Sequence, residues 1–118
     1  MIALSTLLPV ISGCSGPAPS PPEGLLNSAA AQRAGGELFA ADCAICHGAR
    51  GDGHGRRQEG MVPAPADLTV PPWSERAGAA RTFVAIRQGV PGTAMAGWPT
   101  LSDREIWQLI AHIERLDR

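Results

Sequence analysis

Apolar residues recur at Ile106, Leu109, Ile110, Ile113 and Leu116, the i, i+3, i+4, i+7, i+10 spacing of one helical face. Just ahead stands Ser102-Asp103-Arg104-Glu105, the S-x-x-E pattern of a capping box. Together they predict a last helix whose apolar face needs a partner. A middle helix is predicted over about 79–88, where Phe83, Ile86 and Val90 fall near helical spacing and Gly89 closes the run. A first helix is predicted from about Ser28 to Ala41, with Ser28 as N-cap and Ala29, Ala30 and Ala31 as strong formers. Gly35 and Gly36 interrupt it, each at a cost of roughly 1 kcal/mol against Ala. Either another helix approaches closely there, or the glycines begin the helix and 28–34 are irregular. Gly35 and Phe39 share a face. That face is the natural partner for the last helix.

The intervening stretches lack such periods. Residues 48–55, GARGDGHG, must turn sharply. No strand precedes them and no Lys-Ser/Thr follows, so they are not a phosphate loop. Residues 56–72 contain Pro63, Pro65, Pro71 and Pro72 and read as non-repetitive chain. A loop this long needs a reason, and wrapping a bound group is one. At the other end, residues 1–13, MIALSTLLPVISG, are apolar and uncharged but too short to span a bilayer as a helix. They look like a secretory signal, though no Lys or Arg precedes the apolar run. Residues 15–24, SGPAPSPPEG, have the composition of an extended tether. The organisation expected is a signal peptide over 1–13, a tether over 14–27 and one folded domain over 28–118.

Composition sharpens this. The chain has 118 residues, three Trp, two Phe and no Tyr. A core so poor in large side chains is marginal at this size, which favours a core filled by a cofactor. The formal net charge is −1, every basic residue is Arg, and no basic run exceeds Arg56-Arg57. Charge therefore does not suggest a nucleic-acid partner.

The chemistry concentrates in Cys43-Ala44-Ile45-Cys46-His47, a C-x-x-C-H segment. This is the attachment signature of a c-type haem. Two thiols three positions apart on a helical turn can reach the two vinyl groups of one porphyrin, and His47 can bind the iron from the same side. A structural zinc site would need four ligands, commonly two such pairs, and the chain has no second C-x-x-C. A thioredoxin-like dithiol would need strand–helix–strand patterning, which is missing.

A second axial ligand is sought among Met61, Met95, His54 and His112. Met95 lies in Gly89-Val90-Pro91-Gly92-Thr93-Ala94-Met95-Ala96-Gly97-Trp98, where no helical face explains a methionine. Met61 and His54 follow His47 closely, and His112 falls within a regular helix. Met95 is the preferred candidate. Pro65, backed by Pro63, is the candidate position for a backbone carbonyl that accepts a hydrogen bond from His47 Nδ1. A plain turn proline is the even alternative. Leu68 is a candidate for packing on the porphyrin. A buried Trp73 needs a partner for its N–H, and a haem propionate or simple packing would serve equally. Ile11-Ser12-Gly13-Cys14 resembles a bacterial lipobox, which would make Cys14 a lipidated first residue and account for the odd cysteine.

With these landmarks assembled, residues from about Gly35 to Leu116 resemble the class I cytochrome c family in its small single-haem bacterial form. The resemblance rests on Gly35-x-x-x-Phe39 before Cys43-x-x-Cys46-His47, then Gly48 and Gly51-Asp52-Gly53, then Pro65-x-x-Leu68. It continues through Gly89-x-Pro91-Gly92-Thr93-Ala94-Met95 to the Leu101-Ser102 cap and terminal helix. It implies an all-α cytochrome c fold with crossed first and last helices, a shorter middle helix and long loops around one covalent haem c. It also implies His47/Met95 ligation and one-electron transfer between redox protein partners. Maturation of such proteins outside the cytoplasmic membrane agrees with export, and implies a periplasmic or extracytoplasmic, lipid-anchored carrier. Two departures stand out: Ala96 where the family often has Pro, and His112 where an aromatic often contacts the first helix.

With both axial positions filled, no small-molecule substrate and no catalysis by this chain alone are expected. Electrons would pass at the haem edge near Cys46 and the Met95 loop. Any basic docking ring must be Arg, such as Arg50, Arg56 and Arg57, although a solvated loop explains those residues as well. The alternatives are a haem-bearing subunit of a dehydrogenase or oxidase complex, a ligand-binding or peroxidatic haem from which Met95 is displaced, and a structural zinc module.

Overall fold

The computed structural model describes residues 19–118 apart from residue 72. The signal peptide expected over 1–13, Cys14 and the first part of the expected tether lie outside the described residues. Among the described residues, a 3-10 turn, Leu25–Asn27, leads into five α-helices. These are α1 (Ala29–Asp42), α2 (Ala44–His47), α3 (Trp73–Ala77), α4 (Ala79–Gln88) and α5 (Asp103–Ile113). The fold is all-α, and the β pairing among the described residues is the isolated bridge between Gly89 and Ala96.

Helix α1 starts where its cap permits. Ser28 has extended backbone and its Oγ accepts from the Ala31 N–H at 3.3 Å. Gly35 and Gly36 lie within the helix, so the close-approach reading holds. A Cβ at Gly35 would fall on the Gln108 carbonyl of α5, and one at Gly36 would stand 3.2 Å from His112 Nδ1. The crossing buries Phe39, Ile106, Leu109 and Ile110 almost completely. The Phe39 and His112 rings pack 5.1 Å apart. Burying such side chains contributes roughly 1.5–3 kcal/mol each.

Helix α5 carries the full capping box. Ser102 Oγ accepts from the Glu105 N–H at 3.1 Å, and Glu105 Oε2 accepts from the Ser102 N–H at 2.7 Å. Its buried surface is wider than the five-residue stripe, because Trp107 and Ala111 are buried too. Trp107 stacks on Phe83 of α4 at 4.6 Å, which joins the middle helix to the pair. The helix also ends earlier than the apolar pattern suggests. Leu116 belongs to the turns that follow, yet its Cδ1 still reaches the backbone of Gly51.

Two other boundaries differ from expectation. Leu25, counted in the tether, is buried in the core, and Leu26 accepts from Gln32 Nε2 at 3.0 Å. The folded body thus begins ahead of residue 28. Helix α3 is an element the pattern did not announce; Glu75 in its first turn is its main sequence mark. Gly78, with φ of 72°, separates it from α4.

Candidate functional site

The C-x-x-C-H segment occupies the junction of α1 and α2. Cys43 closes α1, its N–H donating to the Phe39 carbonyl at 2.9 Å, and α2 is the single turn that follows. A one-turn helix leaves its last carbonyls without intrahelical partners. The glycine-rich loop and the residues just after it supply them. The N–H groups of Arg57, Gly55 and Gly53 donate to Ile45, Cys46 and His47 at 2.9, 3.0 and 2.7 Å. That close wrapping explains Gly55, where a Cβ would stand 2.5 Å from the Cys46 carbonyl carbon.

His47 is fixed from the other side of the loop. Its Nδ1 lies 3.1 Å from the Ala66 carbonyl oxygen. The acceptor is therefore Ala66 and not Pro65, the position the sequence suggested. The Pro65 carbonyl instead lies beside the backbone of Gly53. The segment is held in register by the Leu68 N–H, which donates to Gly51 at 2.7 Å, and by Asp67 Oδ1, which accepts from the Thr69 N–H and hydroxyl at 2.9 and 2.6 Å. Those two bonds hold the Asp67 carboxyl below the usual carboxylate range. Donation from Nδ1 leaves Nε2 as the ring nitrogen with a lone pair to offer a metal.

These pieces wall a cleft of about 500 Å³, within the range of cofactor sites. Cys43, Cys46, His47, Pro65, Leu68 and Met95 all line it. Both thiols are free and partly buried. Burial, then the neighbouring Asp42 and Cys46, push the Cys43 thiol up to about 11. Of the four candidate axial ligands, two are brought to the cleft, since Met61 lines it as well as Met95. His54 is turned to solvent and bonds Asp52. His112 packs against α1. Trp73, Arg57 and Arg81 complete the rim.

The donor set fits a haem. An apolar slot carries two thiols and an imidazole on one wall and thioethers in the remainder of its lining. Among the described residues, no group of three or more His, Cys, Asp or Glu is arranged so that it could hold a metal ion. Among the described residues, no helix is long and apolar enough to cross a membrane.

The Met95 loop is closed on itself. Val90 N–H donates to the Met95 carbonyl at 3.1 Å, and Met95 N–H donates to Thr93 Oγ1 at 3.2 Å. Thr93 Oγ1 in turn donates to the Val90 carbonyl at 2.7 Å. Sequence reasoning singled out Met95 but missed Arg87, whose side chain holds the loop's exit through four contacts.

The family model described as cytochrome c oxidase, cbb3-type, subunit III matches residues 30–113. Among solved structures, the chain is similar to a chain of the Kuenenia stuttgartiensis reducing HAO-like protein complex, with a TM-score of 0.68 and 24% identity. The match covers 89% of this chain and 53% of that one, so the chain spans about half the length of its structural relative. No curated protein matches.

Proposed function

Because the chain belongs to the family of cytochrome c oxidase, cbb3-type, subunit III, whose cytochrome c domain carries covalent c-type haem for electron transfer, we propose a more specific role. The protein is a one-electron carrier with one haem per chain, ligated by His47 and Met95, that shuttles electrons between extracytoplasmic redox partners. The observation that carries this reading is the convergence of Cys43, Cys46, His47 and Met95 on one cleft, with His47 Nδ1 already engaged by Ala66.

Bound through thioethers to Cys43 and Cys46, the haem supplies a one-electron ferrous–ferric couple. The chain's residues set its conditions. The Ala66 carbonyl orients His47 and raises the basicity of Nε2. The Met95 thioether favours the ferrous state relative to a second histidine. Leu68, Ile86 and Phe39 line the cleft with apolar surface, which would disfavour net charge on the iron. Arg57 and Arg81 on the rim would offset the carboxylates at the porphyrin edge.

Cys14, in its lipobox-like setting, is the proposed lipid site, and the stretch behind it a tether to the membrane surface. A second reading is a haem-bearing subunit of a larger oxidoreductase complex. It is supported by the family's description as an oxidase subunit and by the likeness to a chain of a multiprotein complex. Purification from native membranes at high salt separates the two, since a fixed subunit stays with its partners and a shuttle does not.

Intact mass of the matured protein tests the cofactor stoichiometry. One haem added to the chain, lost in the Cys43→Ser/Cys46→Ser double variant, is expected. Two haems, or a haem retained by the double variant, would contradict it.

A further inference from the structure

The loop that carries Met95 has neither a helix nor a sheet to hold it, yet both its ends meet at one place. Gly89 and Ala96 form an antiparallel bridge, and the Trp98 N–H donates back to Ile86 at 2.9 Å. Gly97 passes so close that a Cβ there would lie 2.6 Å from the Arg87 carbonyl. The side chain at this junction is Arg87, in the last turn of α4 and 24% exposed.

Arg87 binds the returning chain as a unit. Its Nη1 donates to the carbonyls of Trp98 at 2.9 Å and Leu101 at 2.6 Å, with that of Pro99 at 3.3 Å. Its Nη2 donates to Asp103 Oδ1 at 2.7 Å, in the first turn of α5. The guanidinium carbon stands 5.8 Å from the centre of the Phe83 ring, which itself packs on Trp107. A planar fork can serve several carbonyls and a carboxylate at once, which an ammonium cannot do with the same geometry.

We propose that Arg87 is the positioning residue that holds the Met95 loop closed, keeping the thioether at the cleft by clamping residues 98–101 to the end of α4. The proposal rests on Met95 being an axial ligand. Without the clamp, the loop's ends would be held by the Gly89–Ala96 bridge and the Trp98–Ile86 bond alone, and an external ligand would compete better for the iron.

The test uses the ferric holoprotein, its thioether-to-iron charge-transfer band and its affinity for imidazole. Arg87→Met, which keeps the stem and removes the donors, should weaken the band and tighten imidazole binding by roughly tenfold or more. Arg87→Lys should fall between it and the native protein. Ser28→Ala, which weakens the distant α1 cap, should lower thermal stability and leave both readouts unchanged. If Arg87→Met does not mature, Arg87→Lys carries the same test against Ser28→Ala. Band and imidazole affinity unchanged in the Arg87 variants, with only stability lowered, would overturn the proposal and leave Met95 ligation standing. If the native protein lacks the band and Met95→Ala changes nothing, the ligand assignment itself fails and the clamp falls with it.

Discussion

His47 Nδ1 and the Ala66 carbonyl oxygen meet at 3.1 Å across 19 positions of chain. The contact fixes one edge of an imidazole carried on a one-turn helix beside the Phe39 ring. It converts the irregular stretch after Pro63 into a brace for the His47 ring.

Leu68 sets the position of that brace, with its N–H on Gly51 and its side chain 4% exposed in the cleft wall. Leu68→Ala should cost about 2–5 kcal/mol of stability in denaturant unfolding. It should also lower the reduction potential, because water would reach the cleft. An unchanged potential would mean that Leu68 does not face the haem.

Gly35 permits the crossing of α1 and α5. Gly35→Val would drive a branched side chain into the Gln108 carbonyl, and relief requires the helices to separate. A loss of about 3 kcal/mol or more is expected, at the upper end of overpacking effects. Thermal unfolding measures it, and a loss below about 1 kcal/mol would contradict so tight a crossing.

His112 makes stability depend on pH. Burial against α1, and then the nearby Arg115 charge, hold its imidazole below the ordinary value of 6.5. The unfolded chain therefore binds a proton that the folded chain resists. Stability is fully present above 6.5 and declines as pH falls through that value toward the lower folded pKa. Glu114, pushed up by burial, acts with the opposite sign nearer the carboxylate range. His112→Phe should match the native protein at about pH 7.5 and exceed it at about pH 5. Parallel pH profiles for the two proteins would show that the proton is not resisted there.

Cys14 carries a prediction for the intact cell. With Cys14 lipidated, the protein should partition with membranes and be released by detergent, and Cys14→Ser should leave it in the soluble fraction. Membrane association unchanged in Cys14→Ser would point to a protein partner instead.

The local rules of the chain were readable in advance. The Ser102–Glu105 capping box, the Ser28 cap and the close approach at Gly35 each depend on a few neighbouring residues or one helical face. What escaped the sequence depends on where irregular chain goes. Two prolines marked the segment beside His47, but the Leu68–Gly51 bond decides that Ala66 presents the carbonyl. The apolar period ran on to Leu116, yet the helix stops at Ile113 and Leu116 reaches Gly51 from a turn. Arg87 had no visible motif, because its acceptors lie 11 to 16 positions ahead and are mostly backbone. Met61, named among the candidate ligands, is brought to the cleft beside Met95 by the folded loop.

The two methionines in one cleft make the decisive measurement a comparison. Absorption spectra of the oxidised and reduced holoprotein should be recorded beside Met95→Ala and Met61→Ala. A low-spin haem is expected that Met61→Ala leaves intact, and that Met95→Ala turns high-spin and opens to carbon monoxide when reduced. A spectrum unchanged by Met95→Ala, with the loss appearing in Met61→Ala, would contradict it.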